Sequence, residues 1–177
     1  GAAWVSGAAR VSGAAWLFGA ARVSGAARVS GAARVSGAAR VFGDARVFGA
    51  AWVSGAARVF GAAWVSGAAR VSGDAWVFGA ARVSGDARVS GDAQVSGDAQ
   101  VSESWHFLAV GPIGSEGGTA TLARTKNGKH ILNVGCWTGT LGTLMGEVKR
   151  RRANWTAGEV ERDLWTAQYQ ALKTLGK

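Results

Sequence analysis

The chain has 177 residues, 48% of them apolar, with 28 Gly, one Pro and one Cys. That composition excludes a collagen-like rod, an intrachain disulfide and any metal site built on paired cysteines. The formal charge is +9, which attracts nucleic acid, acidic proteins or anionic surfaces. No apolar run is long enough to cross a bilayer and no signal-peptide pattern is visible. No membrane partner is therefore expected, and the setting reads as cytoplasmic or virion-associated.

From Gly1 to Ser102 one six-residue phrase is repeated seventeen times without insertion or deletion. Its pattern is Gly, Ala/Asp, Ala, x, Val, Ser/Phe. The third position is always Ala, and the fifth is Val except at Leu17. Side chains alternate between faces in extended backbone, so the small Ala–Val pair points inward. The fourth and sixth positions, which carry Arg, Trp, Gln, Ser and Phe, point outward. Gly and its neighbour form the corner, where glycine tolerates positive φ and Asp suits a turn. A fixed short period signals a solenoid. Six residues make one side, and three sides close a triangular coil of eighteen.

The spacing of Val5 to Ala9 and of Val11 to Ala15 resembles the hexapeptide-repeat, left-handed parallel β-helix family. The usual Gly directly after the aliphatic residue is displaced by one place, to Gly7 and Gly13. Left-handedness and a trimeric assembly are what this resemblance implies. The resemblance also implies a third reading of function, an acyltransferase using acetyl-coenzyme A, with a His near a coil loop as general base between subunits.

Eighteen-residue coils make definite ladders. Phe42, Phe60 and Phe78 should stack on one side, with Arg22, Arg40 and Arg58 beside them. Arg10, Arg28 and Arg46 should stack on the second side. Trp16 and Trp52 lie on the third, with Arg34 between them. Stacked arginines repel unless solvent, Trp stacking or a bound anion screens them. A ladder of outward aromatics makes a patch, and patches usually have partners. The repeats also carry a charge gradient. Residues 1–42 hold five Arg and no acid, whereas 85–102 hold one Arg and three Asp.

The phrase stops at Ser102. Unpaired strand edges invite end-to-end addition, so residues 103–177 read as a small α+β domain capping the 1–102 β-helix. At the other end Gly1 begins directly in phase. That edge is open to truncation, capping by other residues or pairing with another molecule. The tail pattern predicts a strand at Trp105–Val110 and a turn at Gly111–Gly114. A hairpin of Thr119–Thr125 with His130–Cys136 follows, closed by Lys126-Asn127-Gly128-Lys129 as a type I′ turn. In that register Ala123 faces Leu132 and Thr121 faces Val134 on one inner face. Leu141, Leu144, Met145 and Val148 keep helical spacing, and Lys149-Arg150-Arg151-Arg152 closes this helix. Thr156 to Glu159 reads as a capping box, with Trp155 and Val160 as its staple. The second helix then runs to about Leu175, stopped by Gly176. Through Gly135-Cys136-Trp137-Thr138-Gly139-Thr140 the tail resembles C-terminal segments of small phage and prophage proteins that also follow hexapeptide repeats. That resemblance implies a phage-encoded protein, and it brings no active site.

The sequence supplies little for catalysis. The repeats contain no His and no protruding loop. His106 and His130 both fall in predicted tail strands, and Cys136 is expected to be a buried thiol. No dinucleotide or phosphate-binding glycine motif is present, and no set of metal ligands converges. The expectation is a non-enzymatic protein without cofactor, presenting a rigid β-solenoid surface to a protein partner or to a second copy of itself, in a virion or against a host system. The alternative is binding of nucleic acid or another polyanion through the Arg ladders and the Lys149–Arg152 cluster. Arg rows spaced by about 4.8 Å do not match the roughly 3.4 Å phosphate spacing along one DNA strand.

Overall fold

The computed structural model describes residues 2–175. Gly1, where the first phrase begins, and Gly176, expected to stop the last helix, lie outside the described residues. Every copy of the phrase places its fourth and fifth residues in a two-residue strand, from β1 (Trp4–Val5) to β17 (Gln100–Val101). Each strand up to the fourteenth pairs in parallel with the strand eighteen residues on, as in Arg40 with Arg58 and Val41 with Val59. Three parallel sheets of six, six and five strands result.

The ladder follows from the phrase. The amide of the fourth residue donates to the carbonyl of the inward Ala in the next coil, as from Arg40 N to Ala57 O at 2.9 Å. The amide of the sixth donates to the next Val, as from Phe42 N to Val59 O at 3.0 Å. From Ala21 to Val101 every inward Ala and Val is wholly buried. In the first coil only one neighbour covers them, and Val5 remains 51% exposed. The corner glycines take φ near +65° to +72° through most of the rod. At Gly55 a Cβ would lie 2.9 Å from both the N and the O of Gly73. The corner thus needs glycine for conformation and for coil-to-coil approach together.

After Val101 a 3-10 turn, Ser104–His106, leads into a four-stranded antiparallel meander. Its strands are β18 (Phe107–Ile113), β19 (Gly118–Arg124), β20 (His130–Val134) and β21 (Trp137–Gly139). Helices α1 (Leu141–Arg152) and α2 (Glu159–Leu175) complete the chain. Several expectations for this tail are corrected. Trp105 and His106 lie in the 3-10 turn, not in a strand. The Nδ1 of His106 accepts from the backbone amides of Ser102 and Glu103, which tightens this bend. The expected turn at Gly111–Gly114 is instead strand through Ile113, with the register shifting between Val110 and Ile113.

The hairpin register is displaced by one residue. Thr121 faces Asn133 and Ala123 faces Ile131. The cause lies in the loop. Gly128 alone has positive φ, +73°, while Asn127 does not, and a type I′ turn requires both. Gly128 N donates to Thr125 O at 3.0 Å, giving a three-residue loop that ends on a left-handed glycine. The strand after it ends at Val134, not at Cys136, because Gly135 turns the chain at φ +56° into β21.

Nor is there one inner face. Ala120, Thr121, Leu122 and Ala123 are all buried. Ala123 and Ile131 pack on the rod's core, whereas Ala120, Leu122, Leu132 and Val134 pack under Leu144, Val148 and Leu172 of the helices. The sheet is a middle layer between solenoid and helices. Thr140 caps α1, its hydroxyl accepting from Thr143 N. The capping box expected at Thr156 does not form, since α2 begins at Glu159 with Arg162 N donating to Gly158 O. Val160 is 80% exposed and makes no staple. Trp155 instead packs edge-on against Trp165 at 5.3 Å.

Candidate interaction surface

The outward positions form straight rows with one residue per coil. On the first sheet Arg22, Arg40 and Arg58 are in register, continuing to Trp76 and Gln94. Phe42, Phe60 and Phe78 stack beside them with centroids 4.9 and 5.1 Å apart and planes within 1° and 4°. Coil spacing and ring-stacking distance nearly coincide, so parallel rings need no adjustment of the backbone. On the second sheet Arg10, Arg28 and Arg46 lead to Trp64 and Arg82. On the third Trp16, Arg34, Trp52 and Arg70 alternate in register, and Arg88 follows Arg70.

Tryptophan separates the arginines wherever a Trp interrupts a row. Trp52 lies between Arg34 at 4.9 Å and Arg70 at 5.4 Å, and Trp64 between Arg46 at 5.0 Å and Arg82 at 4.9 Å. Arg58 covers Trp76 at 4.8 Å. A guanidinium on an indole face keeps its N–H edges outward while its charge is offset by the ring. These rows present ring edges and guanidinium edges. Trp16, with Trp52 and Arg34, lines an open hollow on the third side, and Trp16 is 65% exposed.

The basic end of α1 is different. Arg150 and Arg151 both meet Glu147 at 2.6 Å, and Arg152 pairs with Glu159 and, at 2.8 Å, with Asp163. Hydrogen bonds from Arg150 and then Arg151 hold the Glu147 carboxyl down to about 2. The same contacts raise both guanidinium pKa values. Of the four residues Lys149–Arg152 only Lys149 has no ion pair among the described residues. Glu147 lies one turn before Arg150 and Arg151 on the same helix, whereas the pairing of Arg152 depends on Glu159 and Asp163 folding back from α2, which the local sequence does not signal.

Cys136 is exposed, contrary to expectation, because the strand ends before it; its Sγ lies 3.7 Å from Arg151 Nη2. Beside it an open cleft of about 290 Å3 lies between sheet and helices, lined by Glu116, Arg151, Asn154, Trp155 and Tyr169 among others. Burial raises the pKa of Tyr169 there.

The rod's last edge is closed by side chains that sequence reasoning passed over. Gln94 has no further coil to pair with. Its N–H donates to Thr121 Oγ1 at 2.9 Å, and its C=O accepts from Asn133 Nδ2 at 3.0 Å. Asn133 Oδ1 also accepts from Ser96 and Thr138 hydroxyls, each at 2.8 Å. Two polar residues in the middle of apolar strands were the available signal, since buried polar groups need partners.

Residues 39–55 and 81–97 match the YdcK Beta solenoid repeat family model. Each match begins on an inward Ala and ends on a corner Gly, one residue short of a full coil. This chain is a β-solenoid repeat protein. No curated protein and no solved structure matches it. Among the described residues no helix is long and apolar enough to cross a membrane.

Proposed function

We propose that this β-solenoid protein is a non-enzymatic interaction rod that presents rigid rows of Arg, Trp and Phe to a protein partner. The observation that carries the reading is the registered Phe42/Phe60/Phe78 stack flanked by Arg40 and Arg58. Aromatic and Arg side chains are the types that dominate protein interfaces, and stacking already restricts the Phe42, Phe60 and Phe78 rings before binding. A place in a virion or against a host factor in the cytoplasm is proposed on the resemblance of the Gly135–Thr140 stretch to phage and prophage tail segments alone.

The second reading is polyanion binding. It is favoured by the uninterrupted rows Arg10–Arg28–Arg46 and Arg22–Arg40–Arg58. It gains less from Arg150, Arg151 and Arg152, whose charges are already paired. Two variants separate the readings. Changing Phe42, Phe60 and Phe78 to Ser should abolish a protein contact that persists in high salt. Changing Arg22, Arg40 and Arg58 to Gln should cut salt-sensitive retention on heparin or DNA. Retention lost in the Arg variant, with every protein contact unchanged in the Phe variant, would replace the first reading by the second.

A further inference from the structure

The first sheet differs from the other two in being self-complementary end over end. Its sixth-position row reads Ser6, Ser24, Phe42, Phe60, Phe78, Ser96, so that from Ser24 to Ser96 it is a palindrome about Phe60, with the first coil left over. Its charges are the opposite of palindromic. Arg22, Arg40 and Arg58 occupy three successive coils, followed by two coils whose corners carry Asp74 and Asp92. The second and third sheets have no run of Phe and no such division.

We propose that two copies of this chain pair antiparallel through this face, about a twofold axis at Phe60 that runs along the strand direction. This rests on reading the solenoid as an interaction surface and names the partner as a second copy. The rotation reverses the rods but keeps the strand direction, so Phe edge meets Phe edge. Phe42 of each copy then meets Phe78 of the other, and Phe60 meets itself. Arg40 comes opposite the coil of Asp74 and Trp76, and Arg22 opposite the coil of Asp92. Each meeting of an Arg-bearing coil with an Asp-bearing one occurs twice, as an isologous interface requires, with the Asp at the corner two residues from the position that faces the Arg. The one like-charge meeting is Arg58 with its own copy, and each of those guanidiniums already lies on Trp76 at 4.8 Å.

Parallel rods do not offer this match. In a parallel dimer or trimer, equal coils share a level, so the Arg-rich coils of one copy stand level with those of the next and the Asp-bearing coils with their own kind. From Arg22 to Gln94 the strip is about 19 Å long at the usual strand spacing. A contact along so short a strip is small, so the dimer should form reversibly.

The test uses the full chain with Cys136, its only cysteine, changed to Ser. Sedimentation over rising concentration should show the 18.0 kDa chain passing to twice its mass. Arg22→Glu with Arg40→Glu should weaken the dimer about tenfold or more, as should Asp74→Arg with Asp92→Arg, and all four together should restore it. Under oxidation F60C should crosslink to itself, and F42C should crosslink with F78C when the two are mixed but not with itself. Self-crosslinking of F42C, or a trimer, would overturn the proposal in favour of parallel packing. A monomer at every concentration would also overturn it. Either result leaves the interaction-rod reading to the Phe and Arg variants above, which test contact with a different molecule.

Discussion

Alanine at two corner glycines of one rod edge separates backbone conformation from coil packing. Gly55 and Gly91 hold the same place in the phrase, on the same corner, at φ +68° and +64°. An L-residue there costs about 1–2 kcal/mol. Restricting the unfolded chain offsets about 0.4–1 kcal/mol of that, so Gly91→Ala should cost about 1 kcal/mol, for nothing lies within 4 Å of its new Cβ. At Gly55 the Cβ meets Gly73 N and O, both at 2.9 Å. Those atoms are backbone, and Ala56 N donates to Gly73 O at 2.9 Å, so moving them breaks the corner bond. Overpacking of this kind costs about 1–3 kcal/mol. We expect Gly55→Ala to cost about 2–4 kcal/mol in urea unfolding, and to melt about 4–8 °C below Gly91→Ala for a 2 kcal/mol gap. Equal losses in the two variants would refute the claim that glycine sets the approach of successive coils.

Asn133→Ala leaves Gln94 C=O and the Ser96 and Thr138 hydroxyls without a partner, at about 1–3 kcal/mol. Amide exchange should quicken in the last coil and at β20 while Arg40 and Val41 stay protected; unchanged exchange at Gln94 and Ser96 would count against an edge-closing role. Trp64→Ala removes the ring between Arg46 and Arg82 and should cost about 1–2 kcal/mol, with a loss that shrinks in high salt as the two guanidiniums are screened. The Glu147 carboxyl is lowered from 4.5 to about 2 in the fold. Its contribution to stability is therefore full above pH 4.5 and is lost as pH falls towards 2. E147Q should flatten the fall in melting temperature across that window, and a parallel fall in both proteins would assign the acid sensitivity elsewhere.

By itself the sequence determined the rod. Seventeen copies average out the ambiguity of any one of them, and period two within period six leaves a single way to bury Ala and Val. The coil of eighteen followed, and with it the stacks of Phe42, Phe60 and Phe78 and the place of Arg34 between Trp16 and Trp52. Which residues stack was legible there because each strand pairs in register with its image eighteen places on.

The tail is written once, and its contacts are between unlike segments. Composition marked its hairpin and both helices, but a shift of one residue in a glycine loop put Ile131 and Asn133 of β20, not Leu132 and Val134, on the same face as Thr121 and Ala123. Only the assembled structure decided that this sheet is buried on both sides, that Thr121 and Asn133 stand in for a missing coil, and that Glu159 reaches Arg152. These depend on long-range approach, where local propensity is overridden by the need to satisfy the last strand's backbone and to pair charges brought together by packing.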